Sequence, residues 1–354
     1  MIRFVLALTL FFHLAAQAQT EAPKYYDERP DVLTVQPDPN GKRYFQQGGF
    51  NYSLYEKAAM AYGPLLAEIM TFFPDDEYYF LARDIEYLYD TARVLFQFDE
   101  VTSKRFHLLP VGRLNATRAN IDEYLAQEGL TQANLQGRQA LAIDSCCSGS
   151  IPKHIAATVR NRGVQVRGFL IETDDFPKST LFKSMALRGR HIEDFPHYTG
   201  TANGFERDAT GRLRVTTEGE EFHPAAASKL MFEIRKLYES ADARRRFQDM
   251  REKMTTAYEY LKGGSRSRAA AIQALLSLRD EHNLPAQAFL DDAFLTNKRN
   301  PLYLVDKSLY QDLATYLMQH PKEVPAPQSA PLQVSVSISI GNVQVHSCQV
   351  ALTQ

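Results

Sequence analysis

Between Glu77 and Ile171 the chain alternates short apolar runs with stretches of helical spacing, and that alternation admits few architectures. "EYYFLA", "RFHLLPVG", "RQALAID" and "VQVRGFLIETD" read as buried strands, each bounded by polar or turn residues. Between the first two, "DIEYLYDTARVLFQF" puts Ile85, Leu88, Ala92 and Leu95 on one helical face. "ANIDEYLAQEGL" and "IPKHIAATVRNRG" fill the other gaps, with Gly129 and Gly163 at their C-terminal ends. Strands alternating with helices imply βαβ units and a mostly parallel sheet, so residues 65–215 are expected to form an α/β core.

The flanks read differently. Residues 19–64 form an extension rich in Pro, Asp, Gln and Gly, with turns at Pro37 to Gly41. It runs into "SLYEKAAMAYGPLLAEIMTFF", whose helical spacing is expected to break near Gly63-Pro64. Residues 216–325 are mainly helical: Leu230, Ile234, Leu237 and Ala241 share one face of a helix ending at Gly263-Gly264. Residues 326–354 combine a Pro-rich linker with a strictly alternating tail, which predicts a hairpin across Gly341-Asn342.

A 44% hydrophobic content suits a packed core rather than a disordered chain. A net charge of -2 provides no broad basic field, so nucleic acid is not expected as a partner. The opening "MIRFVLALTLFFHLAAQAQT" combines Arg3, an apolar run and Ala16-Gln17-Ala18, the three parts of a secretory signal peptide over residues 1–18. Nothing after it approaches the ~20 apolar residues that span a bilayer. The expectation is an exported protein, periplasmic or secreted, with no membrane attachment after cleavage. Cys146, Cys147 and Cys348 are an odd set for an oxidising compartment. Cys146 and Cys147 read as small buried residues at a strand end, and a bridge from Cys348 to one of them stays open.

The chemistry concentrates in "LAIDSCCSGSIPKHIAATVRNRG", a strand, a loop and a helix. A helix N-terminus presents unpaired backbone N–H groups and the positive end of its dipole, a setting that favours phosphate. Ser148 and Ser150 add hydroxyls, Gly149 permits close backbone approach, Pro152 suits a first helical turn and Lys153 adds positive charge. Asp144 at the strand end is placed to hold ribose hydroxyls, directly or through Mg²⁺. The loop lacks both the Gly-Lys-Ser/Thr of a P-loop and GxGxxG. Arg83-Asp84 also ends a strand, and a parallel sheet would gather both acids with Arg113 at one edge. Asp84 and Asp144 are therefore candidate catalytic acids. Arg83, Arg113, Ser148, Gly149, Ser150 and Lys153 are candidate ligand-binding residues. Weaker features are Asp174-Asp175, the cluster His191, Asp194 and His197, and the glycosylation-type sites at Asn51 and Asn115.

The segment "LAIDSCCSGSIPKHIAATVRNRGVQVRGFLIETD" resembles the phosphoribosyltransferase core, where an acid-ended strand, a phosphate-holding loop and a helix follow one another. On that resemblance Asp144 matches a loop acid, and Ser148, Gly149 and Ser150 match the phosphate-holding part; Ile143 stands where the family carries a second acid. "YYFLARDIEYLYD", "LLPVGR", "IDSCCSGSI" and "IEDFPHYTGTANGF" are similar to a bacterial group carrying "FLARDG" and "DIGWSGS", labelled haloacid-dehalogenase-like or phosphoribosyltransferase-like. Ile85 and Gly112 depart from its glycine and serine. The resemblance implies a phosphoribosyltransferase-like or Rossmann-like sheet and a phosphorylated sugar or nucleotide as ligand. Either a phosphoester hydrolase or a degenerate transferase-like enzyme would use it, or a non-catalytic exported binding protein on the same scaffold. Export itself makes the first prediction. N-terminal sequencing of the mature protein is expected to begin at Gln19, and a soluble cytoplasmic form retaining Met1 would contradict it.

Overall fold

The computed structural model describes residues 24–36, 52–145, 149–171, 182–183, 196–219, 223–261, 263–282, 315, 319, 332–340 and 343–352. The leader, Pro37 to Gly41, Asn51, Cys146, Cys147, Ser148, Asp174-Asp175, His191, Asp194 and Gly341-Asn342 lie outside the described residues. Met1–Lys307 is one compact unit and Ser308–Gln354 a second.

In the first unit α1 (Tyr52–Phe72) leads into the expected alternation. The strands are β1 (Glu77–Leu81), β2 (Phe106–Leu109), β3 (Ala140–Asp144), β4 (Val166–Leu170) and the short β5 (Phe182–Lys183). They form a parallel sheet in the order β2-β1-β3-β4-β5. The connections carry α2 (Glu86–Leu95) and α3 (Glu100–Ser103), then α4 (Ile121–Gln127) and α5 (Gln132–Leu135), then α6 (Ser150–Val159). β1 and β3 are buried along their whole length, which requires cover on both faces. Side chains alternate between those faces. Tyr79, Leu81, Ala140 and Ala142 join a core with Ile121 and Leu125 of α4 and Ile155 and Val159 of α6. The intervening Tyr78 and Phe80 pack against Phe106, tilted and edge-on respectively, and Phe73 after α1 meets Phe169 edge-on at 6.1 Å.

The chain steps from β1 outward to β2, then crosses back to begin β3 on the other side of β1. The connections leaving β1 and β3 therefore diverge at the carboxyl end of the sheet. Such a switch point opens a crevice where α/β proteins hold ligands.

An antiparallel hairpin of β6 (Thr201–Arg207) and β7 (Leu213–Glu218) follows. Tyr25 of the N-terminal arm bridges to Thr216 on its edge. The helical region begins with α7 (Pro224–Tyr238), α8 (Ala241–Leu261) and α9 (Arg268–Asp280), all within the first unit. The long helix expected across Leu230 to Ala241 is in fact two. The chain breaks after Tyr238, so Leu230 and Ile234 are buried but Leu237 and Ala241 are not. In the second unit β8 (Leu332–Ile340) and β9 (Val343–Leu352) form the expected antiparallel hairpin. Asn115 is not an open glycosylation site. It is fully buried, accepting from the Gly112 N–H and donating to the Pro110 carbonyl.

The expected break at Gly63-Pro64 does not occur, because α1 continues through Pro64. Proline removes one helical donor and crowds the preceding turn. Tyr238 of α7 repairs the gap. Its hydroxyl donates to the Ala59 carbonyl at 2.7 Å, reaches the Met60 carbonyl at 3.2 Å and accepts from Gly63 N–H at 2.9 Å. Gly63 is needed for that approach, since a Cβ there would stand 2.8 Å from the tyrosine ring. Tyr238→Phe would leave a buried donor and acceptor unmatched. It is expected to lower stability by about 1–3 kcal/mol in urea unfolding, and an unchanged midpoint would contradict this role.

Candidate functional site

Two strand ends meet at the switch point. β1 is followed by a cis Ala82–Arg83 peptide and then Asp84, just before α2. β3 ends in Asp144, whose Oδ1 accepts from the Ser145 N–H at 2.9 Å. The Ser145 hydroxyl turns the other way and donates to Asp84 Oδ2 at 3.0 Å. This single hydrogen bond joins residues 61 positions apart, and it brings the two expected acids to one locus. Asp84 keeps about a quarter of its side chain exposed (26%), whereas Asp144 is nearly buried. Arg83 lies beside Asp84, Nε to Oδ1 at 3.6 Å, and donates to the Thr201 hydroxyl at the start of β6.

Gly149 opens α6 with φ +60 and ψ 31, the left-handed region that favours glycine. The Gly149 carbonyl accepts the first helical bond, from Lys153 N–H. Pro152 sits in the first turn, where its missing N–H costs nothing. Ser150 and Lys153 are exposed. The N-terminus of α6 thus opens on the same side of the sheet as Asp84 and Ser145, with Ser148 outside the described residues. Arg113 stands exposed on the loop after β2, and no hydrogen bond or ion pair recorded among the described residues ties it to Asp84.

One participant was not legible as such in the sequence. His197 is buried, 3% exposed, with Nε2 3.7 Å from Asp84 Oδ1 and Nδ1 3.5 Å from Glu86 Oε1. Its carbonyl accepts from His223 N–H, and the neighbouring Pro196 carbonyl accepts from the Tyr87 hydroxyl. His197 is thus clamped between α2 and the approach to α7. In the sequence it belonged to a loose cluster with His191 and Asp194. The signal tying it to Asp84 is 113 positions long and exists only in three dimensions.

Behind His197 lies a buried charge cluster. Glu86 is fully buried in the first turn of α2; its Oε2 accepts from the Tyr26 hydroxyl at 2.6 Å and meets Arg29 Nε at 3.2 Å. Arg29 also grips Asp90, one turn further along α2, with both terminal nitrogens. Burial alone would raise the Glu86 pKa. The Arg29 charge, aided by His197 and the Tyr26 hydroxyl, holds it below the usual carboxylate range. Burial pushes Asp90 up to about 6 despite the same guanidinium.

Mg²⁺ prefers a near-octahedral set of oxygens, usually with several waters retained. Ile143 is buried in the sheet where a second loop acid would stand, and among the described residues no third acidic or imidazole ligand gathers with Asp84 and Asp144. That donor set does not fit a magnesium site of the expected kind, and no step below passes through a metal. No family model matches the chain, and no curated protein or solved structure is significantly similar to it.

The cluster fixes the arm to α2, and its loss is expected to be costly. Arg29→Met strands two buried carboxylates and is expected to reduce stability by about 3–5 kcal/mol. Arg93→Met removes a half-exposed pair with Asp31 and is expected to cost about 0–1 kcal/mol. Equal losses in the two variants, measured by urea unfolding, would contradict the buried role.

Proposed function

We propose that this chain is an exported α/β protein that binds a phosphorylated sugar or nucleotide at the β1–β3 switch point. The observation that carries the reading is the Ser145–Asp84 hydrogen bond, which joins the ends of β1 and β3 at the switch point ahead of α6. In the bound state the backbone N–H groups of the first turn of α6 and the Ser150 hydroxyl receive the phosphate. Lys153 and Arg83 supply positive charge, and Asp144 faces sugar hydroxyls. The resemblance of the loop to a phosphoribosyl-binding segment supports the same assignment. A second reading, a binding protein without chemistry, is favoured by Ile143, an apolar residue at the position of an expected acid.

Inorganic phosphate and ribose 5-phosphate are suitable probes. At 100 times the dissociation constant, bound ligand stabilises by about 2.7 kcal/mol. Gly149→Val fills the close approach and is expected to abolish that gain. The substitution also carries strain of about 1–2 kcal/mol at a left-handed residue. Gly211→Val is the control, since Gly211 has φ +85 in the β6–β7 turn with nothing near its missing Cβ. The control is expected to lose similar stability yet keep the full ligand-induced shift in melting temperature. A folded Gly149→Val protein with an undiminished shift would put the anion elsewhere.

A further inference from the structure

His197 has no part in holding phosphate, yet it is buried beside the strand-end acids, 3% exposed. Its ring lies between two carboxylates, Asp84 at 3.7 Å and Glu86 at 3.5 Å, and neither ring nitrogen has a hydrogen-bond partner among the described residues. Glu86 is itself immobilised by Tyr26 and Arg29 and kept ionised by the latter. A buried imidazole with a carboxylate on each nitrogen, one of them reaching solvent, can pass a proton inward from that outer acid.

We propose that Glu86, His197 and Asp84 form a proton relay for hydrolysis of a phosphomonoester bound at the switch point. The proposal rests on the phosphate-binding reading and adds the reaction class. Water attacks phosphorus, so a bond forms from the water oxygen to phosphorus. The bond from phosphorus to the ester oxygen breaks, and its electron pair leaves with that oxygen, which takes a proton from solvent. The proton lost by the attacking water passes to Asp84 and on to His197 Nε2. Glu86, on the Nδ1 side, stabilises the imidazolium that results. After product leaves, the proton returns to solvent through Asp84, the exposed end of the line. His197 acts through Asp84 and is a positioning and proton-accepting residue, while Asp84 meets the reacting atoms.

Several charged and titratable groups bear on His197. Glu86 faces it from α2, and Asp84, with Arg83 beside it, faces it from the end of β1. Arg29 and Tyr26 of the arm act through Glu86, and Tyr62 of α1 feels Glu86, Asp90 and Asp84. Tyr87 and His223 touch its backbone neighbourhood, through the Pro196 carbonyl and the His197 carbonyl. The acids flank the ring on both sides, Asp84 toward Nε2 and Glu86 toward Nδ1.

The test uses the mature full-length protein with p-nitrophenyl phosphate as substrate and inorganic phosphate as binding probe. His197→Gln is compared with wild type, with His197→Asn as the alternative if the first does not fold. The expected result is a kcat loss of about 10²- to 10⁴-fold with KM little changed and the phosphate-induced thermal shift retained. Glu86→Gln is expected to lower kcat in the same sense. A His197 variant with wild-type kcat overturns the relay. Phosphate binding without turnover by wild type overturns the relay and leaves the binding reading standing. Absence of both binding and turnover overturns the two together. If neither variant folds, the wild type decides: kcat is expected to fall in D₂O, and an unchanged kcat overturns the relay.

Discussion

Two carboxylates on one buried face of α2, Glu86 and Asp90, need a cation, and the N-terminal arm supplies it as Arg29. Spaced four residues apart, they lie one above the other on the helix and share a single guanidinium. Water is excluded, so neither acid has solvent to fall back on, and removal of the arginine is far costlier than loss of a surface pair. The interaction therefore holds the arm against the sheet domain. It also holds Glu86, which in turn stands 3.5 Å from the His197 ring beside Asp84. The arm thus supports α2 from the side away from the sheet edge where the two acids meet.

The crevice follows from topology more than from any one residue. A parallel sheet whose chain reverses direction between β2 and β3 leaves a gap above β1 and β3. Ser145 spans that gap with two groups. Its amide caps Asp144 and its hydroxyl reaches Asp84, so one small residue ties both strand ends. The acids are unequal as a result. Asp84 retains access to solvent, and Asp144 is folded back on its own loop. Two acids read alike from the sequence thus end in different surroundings.

The strands and helices of the sheet domain were legible because burial on both faces demands continuous apolar runs at β1 and β3, while helices covering a sheet demand a stripe. Gly163 at the end of the turn after α6 was legible for a local reason, a left-handed φ of 71. Local reasoning failed at Pro64. The cost of a proline inside a helix is real, but it is offset by a tyrosine 174 positions away, and no window around residue 64 contains that information. It failed again after Tyr238, where apolar spacing runs on past the point at which the backbone turns.

Sequence alone determined the α/β class, the strand–loop–helix character of Leu141 to Gly163, the candidacy of Asp84 and Asp144, and the C-terminal hairpin. Each follows from periodicity or turn chemistry within about ten to twenty residues. Tertiary structure alone decided which acid is exposed, that Ser145 joins the strand ends, that His197 stands between Asp84 and Glu86, and that Arg29 is buried beneath them. Those pairings depend on strand order and on the docking of the arm. A chain encodes them in the summed packing of distant segments, where no local spacing records them.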